Sequence, residues 1–89
     1  MIEKYLELVD NTVEKCVIAS NQIYVEEFKN QGTFDTEAHN LVFNLTYDTI
    51  ISILGEETIN FLDTLFGNIR TYIKSRIEYE VSKQKGGVK

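Results

Sequence analysis

The sequence has no proline, no tryptophan, one cysteine and one histidine in 89 residues. Without proline, nothing interrupts long helices from within. One cysteine cannot form an intramolecular disulfide, and one histidine leaves too few of the usual ligands for a structural zinc site. Folds held together by disulfides or zinc are therefore excluded. The chain must fold on an apolar core, and we expect a reducing compartment.

Long hydrophobic runs are also missing. No run approaches the roughly 20 apolar residues of a membrane-spanning helix, and the N-terminus lacks the apolar segment of a signal peptide. We therefore expect a soluble, cytoplasmic protein, which would lie at the inner face of the membrane if another segment anchored it. The net charge of −5 disfavours nucleic acid as a partner, because phosphate binding depends on clustered Lys and Arg.

The charge is unevenly distributed. Residues 1–66 hold three lysines against twelve acidic residues, a net charge of −9, whereas residues 67–89 hold six basic residues against two acidic ones, a net charge of +4. Arg70, Lys74 and Arg76 are therefore candidates for contact with an anionic ligand or a membrane surface. The alternative is that these cations keep the C-terminal helix soluble and complement its dipole. The sequence leaves both interpretations open.

Apolar residues recur at helical spacings along almost the whole chain, which predicts an all-α fold. We expect a long N-terminal helix followed by a compact set of three shorter helices. Asp35 is predicted to cap the second helix, and Gly55 and Gly67 to end the second and third. Residues 1–84 should form a single domain and residues 85–89 a disordered tail. The predicted helices cover residues 2–29, 36–54, 56–66 and a stretch after Gly67. The predicted core face of the second helix is Ala38, Leu41, Val42, Leu45, Ile50, Ile53 and Leu54.

The first helix carries a narrow apolar seam with the alternating spacing of a coiled coil. At 1.5 Å per residue such a helix is about 42 Å long, longer than a domain this small can cover, so we expect part of it to pack on a second copy. Asn21 and Gln22 are unusual in mid-helix: they either act as polar seam residues that fix the register between copies or face solvent. The candidate interface residues are Leu6, Val9, Val13, Cys16, Asn21, Gln22 and Tyr24.

Residue types that carry chemistry are present but scattered. His39 has no nucleophile at a helical spacing, and Cys16 continues the apolar seam, which predicts a small buried residue and not a reactive thiolate. Acidic pairs such as Asp10 and Glu14 are typical of solvated helix faces. The sequence contains no glycine-rich phosphate loop and no His-Glu zinc motif. We therefore expect no enzymatic activity, no cofactor and no metal.

Individual residues form a more specific pattern than the spacing does. Its most specific part is the Asn-Gln-x-Tyr-Val element at residues 21–25, followed by Lys29, Gly32 and Phe34-Asp35. Further matching positions are Tyr5-Leu6, Cys16-Val17-Ile18-Ala19, Glu37-Ala38, Phe43, Gly67, Tyr72-Ile73, Ile77-Glu78 and Val81. This pattern resembles the soluble C-terminal region of LLH-family phage holins over nearly the whole chain.

The resemblance implies a part in host lysis, in which holins oligomerise in the inner membrane and release the endolysin. Three features depart from the family's pattern. Ile23 replaces a threonine, Asn68 replaces an aspartate, and Met1 stands where a preceding membrane segment would end. We expect a non-enzymatic helical module that mediates self-association or regulates a lysis-related membrane assembly, with a membrane-anchored segment or a host protein as further partner. The alternative is a stand-alone phage effector that binds a host protein or a small anionic signal in defence evasion.

Overall fold

The computed structural model describes residues 2–25, 32 and 36–87, and these residues form four α-helices and one π-helical segment. Counted with its π-helical continuation, the N-terminal helix spans residues 2–25 and is followed by three shorter helices, which confirms the predicted all-α class. The elements in chain order are α1 (Ile2–Ser20), the π-helical segment (Asn21–Val25), α2 (Thr36–Leu54), α3 (Glu56–Phe66) and α4 (Ile69–Gly87).

Glycines set the two boundaries around α3, as predicted. Gly55 and Gly67 have φ values of 86° and 69°, in the left-handed region that disfavours side chains with a Cβ. The Gly67 N–H donates to the Asp63 carbonyl at 2.8 Å, and the Ile69 N–H donates to Asp63 Oδ1 at 3.1 Å. Asn68, at φ 42°, adopts a conformation that Asn tolerates better than most residues. Asp63 therefore joins the end of α3 to the start of α4.

The first helix changes form where the two amides occur. Regular α-helix ends at Ser20, and the next five residues form a π-helix, which has a wider turn. The prediction of regular α-helix is therefore wrong at Asn21–Val25. Asn has poor helix propensity, which fits a departure at this point. Residues 26–29 of the predicted helix and the predicted Asp35 cap lie outside the described residues.

The last helix is longer than expected. α4 continues through Gly87, so residues 85–87 of the predicted tail are helical, whereas residues 88–89 lie outside the described part of the chain. Ile69, Ile73 and Ile77 are fully or almost fully buried, at 0–1% exposure, and they fix the first half of the helix. Propagating a helix from an established turn is easier than starting one, which accounts for its continuation through Gly87.

The core lies where α1 packs against both α2 and α4, and α3 contacts α2 and α4. A fully buried aliphatic side chain of this kind stabilises the fold by roughly 1.5–3 kcal/mol. Since a chain this small buries a limited share of its surface, few side chains provide most of the stability. They are Val9, Val13, Cys16, Val17, Ile50, Leu54, Ile59, Leu62, Ile69, Ile73 and Ile77.

Two contacts show that α1 and α2 are antiparallel. Ser20, at the end of α1, forms a hydroxyl–hydroxyl hydrogen bond of 2.7 Å with Thr46 in the middle of α2. Tyr5, near the start of α1, stacks edge-to-face on Phe61 of α3, with ring centroids 5.4 Å apart. Because α3 follows the end of α2, the start of α1 lies near the end of α2. The two helices therefore run in opposite directions.

The seam of α1 is turned into the chain's own core. Val9 and Val13 have no exposed surface, and Cys16 is 7% exposed. The prediction that these three side chains form an interface between copies is therefore wrong in this fold. The physical reason is that α2 and α4 supply the neighbours that a second copy was expected to supply.

We expect Val13→Asp to unfold the domain and not to dissociate copies of it. An unpaired carboxylate at a site with 0% exposure costs several kcal/mol, which is comparable with the whole stability of a small domain. Urea titration followed by circular dichroism measures the loss. Asn11→Asp, at an exposed site two residues earlier, is the control and should shift the free energy of unfolding by no more than about 0.5 kcal/mol. A stable, folded Val13→Asp protein would contradict the packing of α1.

Candidate functional site

A polar cluster lies between α1 and α4. The Tyr72 hydroxyl donates to Asp10 Oδ1 at 2.6 Å, and Arg76 Nε lies 3.6 Å from the same oxygen. Arg76 Nη2 and Lys83 Nζ lie 3.9 and 3.8 Å from Glu80 Oε1. The four- and three-residue spacings bring Arg76, Glu80 and Lys83 to one side of α4. Arg76 therefore links the carboxylate on α1 to the one on α4.

Glu80 is the unusual member of this cluster. Its side chain is 0% exposed, and neither carboxylate oxygen has a hydrogen-bond donor. The cations at 3.8 and 3.9 Å compensate its charge but are too distant for hydrogen bonds. Sequence reasoning counted Glu80 only in the net charge of residues 67–89 and did not identify it as a buried residue. The available signal was its position three residues after Ile77, which continues the buried row of α4.

Replacing the buried carboxylate should not weaken the domain. We expect Glu80→Leu to leave the free energy of unfolding unchanged or to raise it by about 1–2 kcal/mol, because an incompletely bonded buried charge contributes little net stability. In this variant Arg76 would still form its ion pair with Asp10, and Lys83, which is 57% exposed, would be solvated by water. Urea midpoints measure the change, with the exposed Glu78→Leu as control. A loss of more than about 1 kcal/mol would show that this ion cluster is a net stabilising element.

Tyr72 has a perturbed acidity. Burial raises the pKa of its phenol above the ordinary value of 10.0, the hydrogen bond to Asp10 and that residue's charge raise it further, and the Arg76 charge lowers it. A folded-state pKa above the unfolded one means that the folded protein holds this proton more tightly. The corresponding stabilisation is fully present below about pH 10 and is lost as the pH rises through the folded-state pKa of Tyr72.

We expect Tyr72→Phe to lower the free energy of unfolding at neutral pH by about 1–2 kcal/mol, since it removes a hydrogen bond to a carboxylate. The same variant should lose less stability than the wild type between pH 9 and pH 12, about the range where phenols ionise. Thermal unfolding across that range measures both effects. Tyr79→Phe, at a 53% exposed position, is the control. An unchanged alkaline profile in Tyr72→Phe would contradict the assignment.

The predicted cations do not converge. Arg76 lies beside Asp10 and Glu80, and its guanidinium is 4.6 Å from the centroid of the Tyr79 ring. Lys74 lies over the Tyr47 ring at 5.1 Å, and Arg70 is exposed near the start of α4. Arg70 and Lys74 share a side of the helix, but Arg76 points elsewhere. The prediction of one anion or membrane contact built from all three is therefore wrong for Arg76.

His39 and Cys16 have different surroundings. His39 lines a cleft of about 240 Å³ between α2 and α4, together with Phe43, Glu78, Val81 and Ser82. That volume is below the range of about 300–1,000 Å³ usual for small-molecule sites. Cys16 is buried, as expected, and burial raises the pKa of its thiol. Within residues 2–25, 32 and 36–87, His, Cys, Asp and Glu do not form a set of three that could hold a metal ion.

Four predicted interface residues remain. Leu6, near the start of α1, is half-buried, and the other three, Asn21, Gln22 and Tyr24, follow the end of α1. Asn21 is half-buried and Gln22 is exposed, and both belong to the π-helical segment. The exposure of Gln22 favours the solvent-facing interpretation for that amide, whereas the role of Asn21 stays open. The Tyr24 side chain lies outside the part of the structure that can be described. Short π-helical segments often occur at functional sites.

Large apolar side chains outside the core form a row on α2 that sequence reasoning placed in the core. Leu41, Leu45 and Ile53 are 49%, 37% and 62% exposed. Thr49 completes the i, i+4 spacing, and its hydroxyl donates to the Leu45 carbonyl at 2.8 Å. The predicted core face of α2 is therefore wrong at Leu41, Leu45 and Ile53. The residues that directly follow Leu41, Leu45, Thr49 and Ile53 are all buried. They are Val42, Thr46, Ile50 and Leu54.

These features define a small all-α bundle with a buried ion cluster and an exposed apolar row. In comparisons with known proteins, no family model, curated protein or solved structure matches this chain. Of the helices in the described residues, none combines the length and apolar character needed to cross a membrane. The resemblance to LLH-family holins therefore stays a prediction.

Proposed function

We propose that this chain is a non-enzymatic interaction module that joins copies of itself and thereby assembles or regulates a lysis-related phage membrane complex. The observation that carries this proposal is the exposed apolar row of α2. Exposed apolar side chains that are adjacent to one another mark interaction sites more often than isolated ones do. The module would act in the cytoplasm of the host, at the inner face of the membrane.

The surroundings of the row also favour an interface. Between residues 40 and 54 the sequence has a single charged residue, Asp48. The exposed polar neighbours of the row are the amides Asn40 and Asn44, the hydroxyl of Ser52 and this one carboxylate. Depletion of charge at the centre and uncharged polar groups around it are typical of protein interfaces. Covering such a surface contributes roughly 25 cal/mol per Å² of apolar area.

The family resemblance supplies the biological setting. Holins act by assembling in the inner membrane, so a soluble module that self-associates would bring their membrane segments together. We place the proposed contact on residues that remain exposed and not on the seam of α1, whose side chains are buried in the core. The proposal depends on that exposed surface and not on the buried seam.

The test combines mass and lysis timing. Light scattering after size exclusion should give a mass above the 10.3 kDa of one chain, and the mass should rise with protein concentration. Expression in cells that carry an inducible holin and endolysin should change the time of lysis. Unchanged lysis timing would contradict the lysis role whatever the mass proves to be.

A further inference from the structure

We propose that a second copy of this chain docks on the outer side of α1 and α2, about a two-fold axis parallel to these helices. In this arrangement α1 of each copy packs against α2 of the other. The inference rests on the proposed function and names the partner that would cover the exposed row. It also fixes which of the two possible two-fold arrangements forms.

The docking surface has two strips, which together we name the outer face. The α2 strip consists of Leu41, Leu45, Asp48 and Ile53, and the α1 strip of Leu8, Lys15 and Ala19. All seven side chains are exposed, Leu8 by 49%. In the α1 strip the spacings are seven and four residues, and from Leu41 to Asp48 they are four and three, which keeps these side chains on one side of their helix. Ile53 comes eight residues after Leu45 and is rotated by about 80° from it, toward the edge of the strip.

The two strips lie on the same side of the helix pair. In α1, Leu8 and Lys15 each stand one residue before a buried side chain, and Ala19 stands one residue before Ser20, which bonds to Thr46 of α2. The apolar members of the α2 strip likewise each precede a buried residue. On each helix, the residue before a buried one is rotated by about 100° away from the buried direction. Because α1 and α2 are antiparallel, these two rotations point to the same side of the helix pair. The strips therefore form one continuous surface.

Charge selects the arrangement of the two copies. Lys15 and Asp48 are exposed, and neither takes part in an ion pair within the described residues. The Ser20–Thr46 hydrogen bond gives a common level for the two helices. Measured along the helix axes from that level, Lys15 lies about 7.5 Å and Asp48 about 3 Å away in the same direction. Their heights differ by about 4.5 Å, which a lysine side chain can span.

With the two-fold axis parallel to the helices, Lys15 of one copy faces Asp48 of the other, twice. With the axis perpendicular to the helices, α1 would face α1 and α2 would face α2. When the perpendicular axis crosses the helices at the level of these residues, it places Lys15 near Lys15 and Asp48 near Asp48, and like charges repel. Exposed ion pairs contribute little affinity, so the apolar strips drive association and the charges decide its orientation.

The size of the outer face sets the expected strength. Two helices of 19 residues make a surface about 28 Å long and about 20 Å wide, or about 1,100 Å² when both copies are counted. This is near the lower limit of the areas that specific interfaces bury, about 1,200 Å². We therefore expect a dimer whose dissociation constant is in the micromolar range and whose population depends on concentration.

The first experiment uses two apolar positions of matched exposure. Leu45 in the α2 strip is 37% exposed, and Ile18, which points away from the buried side of α1, is 36% exposed. Sedimentation equilibrium should show at least about a tenfold weaker dimer for Leu45→Asp and wild-type affinity for Ile18→Asp. Circular dichroism must show both variants folded. Equal dimerisation of the two variants overturns the outer face as the docking surface.

The second experiment exchanges charges and stays informative if Leu45→Asp fails to fold. Lys15→Glu and Asp48→Lys should each weaken the dimer several-fold at low ionic strength, and the double variant should recover wild-type affinity. Arg70→Glu makes the same charge change on α4 and should leave the dimer unchanged. A double variant no tighter than the single ones overturns the parallel arrangement.

The outcomes separate this inference from the proposed function. A wild-type chain that is monomeric at millimolar concentration overturns the docking of a second copy. A dimer that ignores Leu45→Asp and both charge variants overturns the outer face but leaves self-association in place. A dimer with all the expected variant effects, in cells whose lysis timing does not respond, supports the docking geometry and overturns the lysis role.

Discussion

The burial of one side of α1 between α2 and α4 is the packing interaction on which the rest of the structure depends. Val9 and Val13 have no exposed surface, so they are the positions where α1 meets the core most completely. Most of the stability of a helix in a protein comes from tertiary packing of its apolar face, and α1 is therefore helical largely because it is packed. This constraint also decides where assembly can occur. Since the seam stabilises the protomer, a second copy must use side chains that the protomer leaves exposed.

The second constraint is that the chain is small. A domain of this size has a narrow core, and α4 places Glu80 within it. Two cations of the same helix accompany the carboxylate, and Arg76 also reaches Asp10 on α1. The two cations therefore neutralise the buried charge of Glu80 without forming hydrogen bonds to its carboxylate oxygens. Tyr72 adds the one short hydrogen bond between α1 and α4 in this cluster, at 2.6 Å, which gives that helix pair a polar contact of defined geometry.

Local signals predicted the boundaries of α2 and α3 well. Which side chains face the core depends on tertiary packing, which local signals do not show. Gly55 and Gly67 set the limits of α3 because a positive φ is a local property. The sequence does not show which row of α2 faces the core, because two adjacent rows are both apolar. One contains Leu41 and Leu45, and the other contains Val42 and Ile50. Their burial differs only because of where α1 and α4 lie. Glu80 was not recognised as buried, because its residue type gave no reason to follow the buried row of α4 beyond Ile77. The burial of Cys16 was predicted correctly because its residue type and its position agreed.

The proposed pairing also has a consequence for attachment to a membrane. The proposed function links this chain to LLH-family holins, in which a membrane segment precedes the soluble region. A two-fold axis parallel to α1 places the starts of both α1 helices at the same end of the dimer, whereas a perpendicular axis places them at opposite ends. Two segments that enter one membrane must leave the dimer from one end. The parallel arrangement, which the positions of Lys15 and Asp48 favour on electrostatic grounds, is therefore also the one compatible with anchoring both copies to the same membrane.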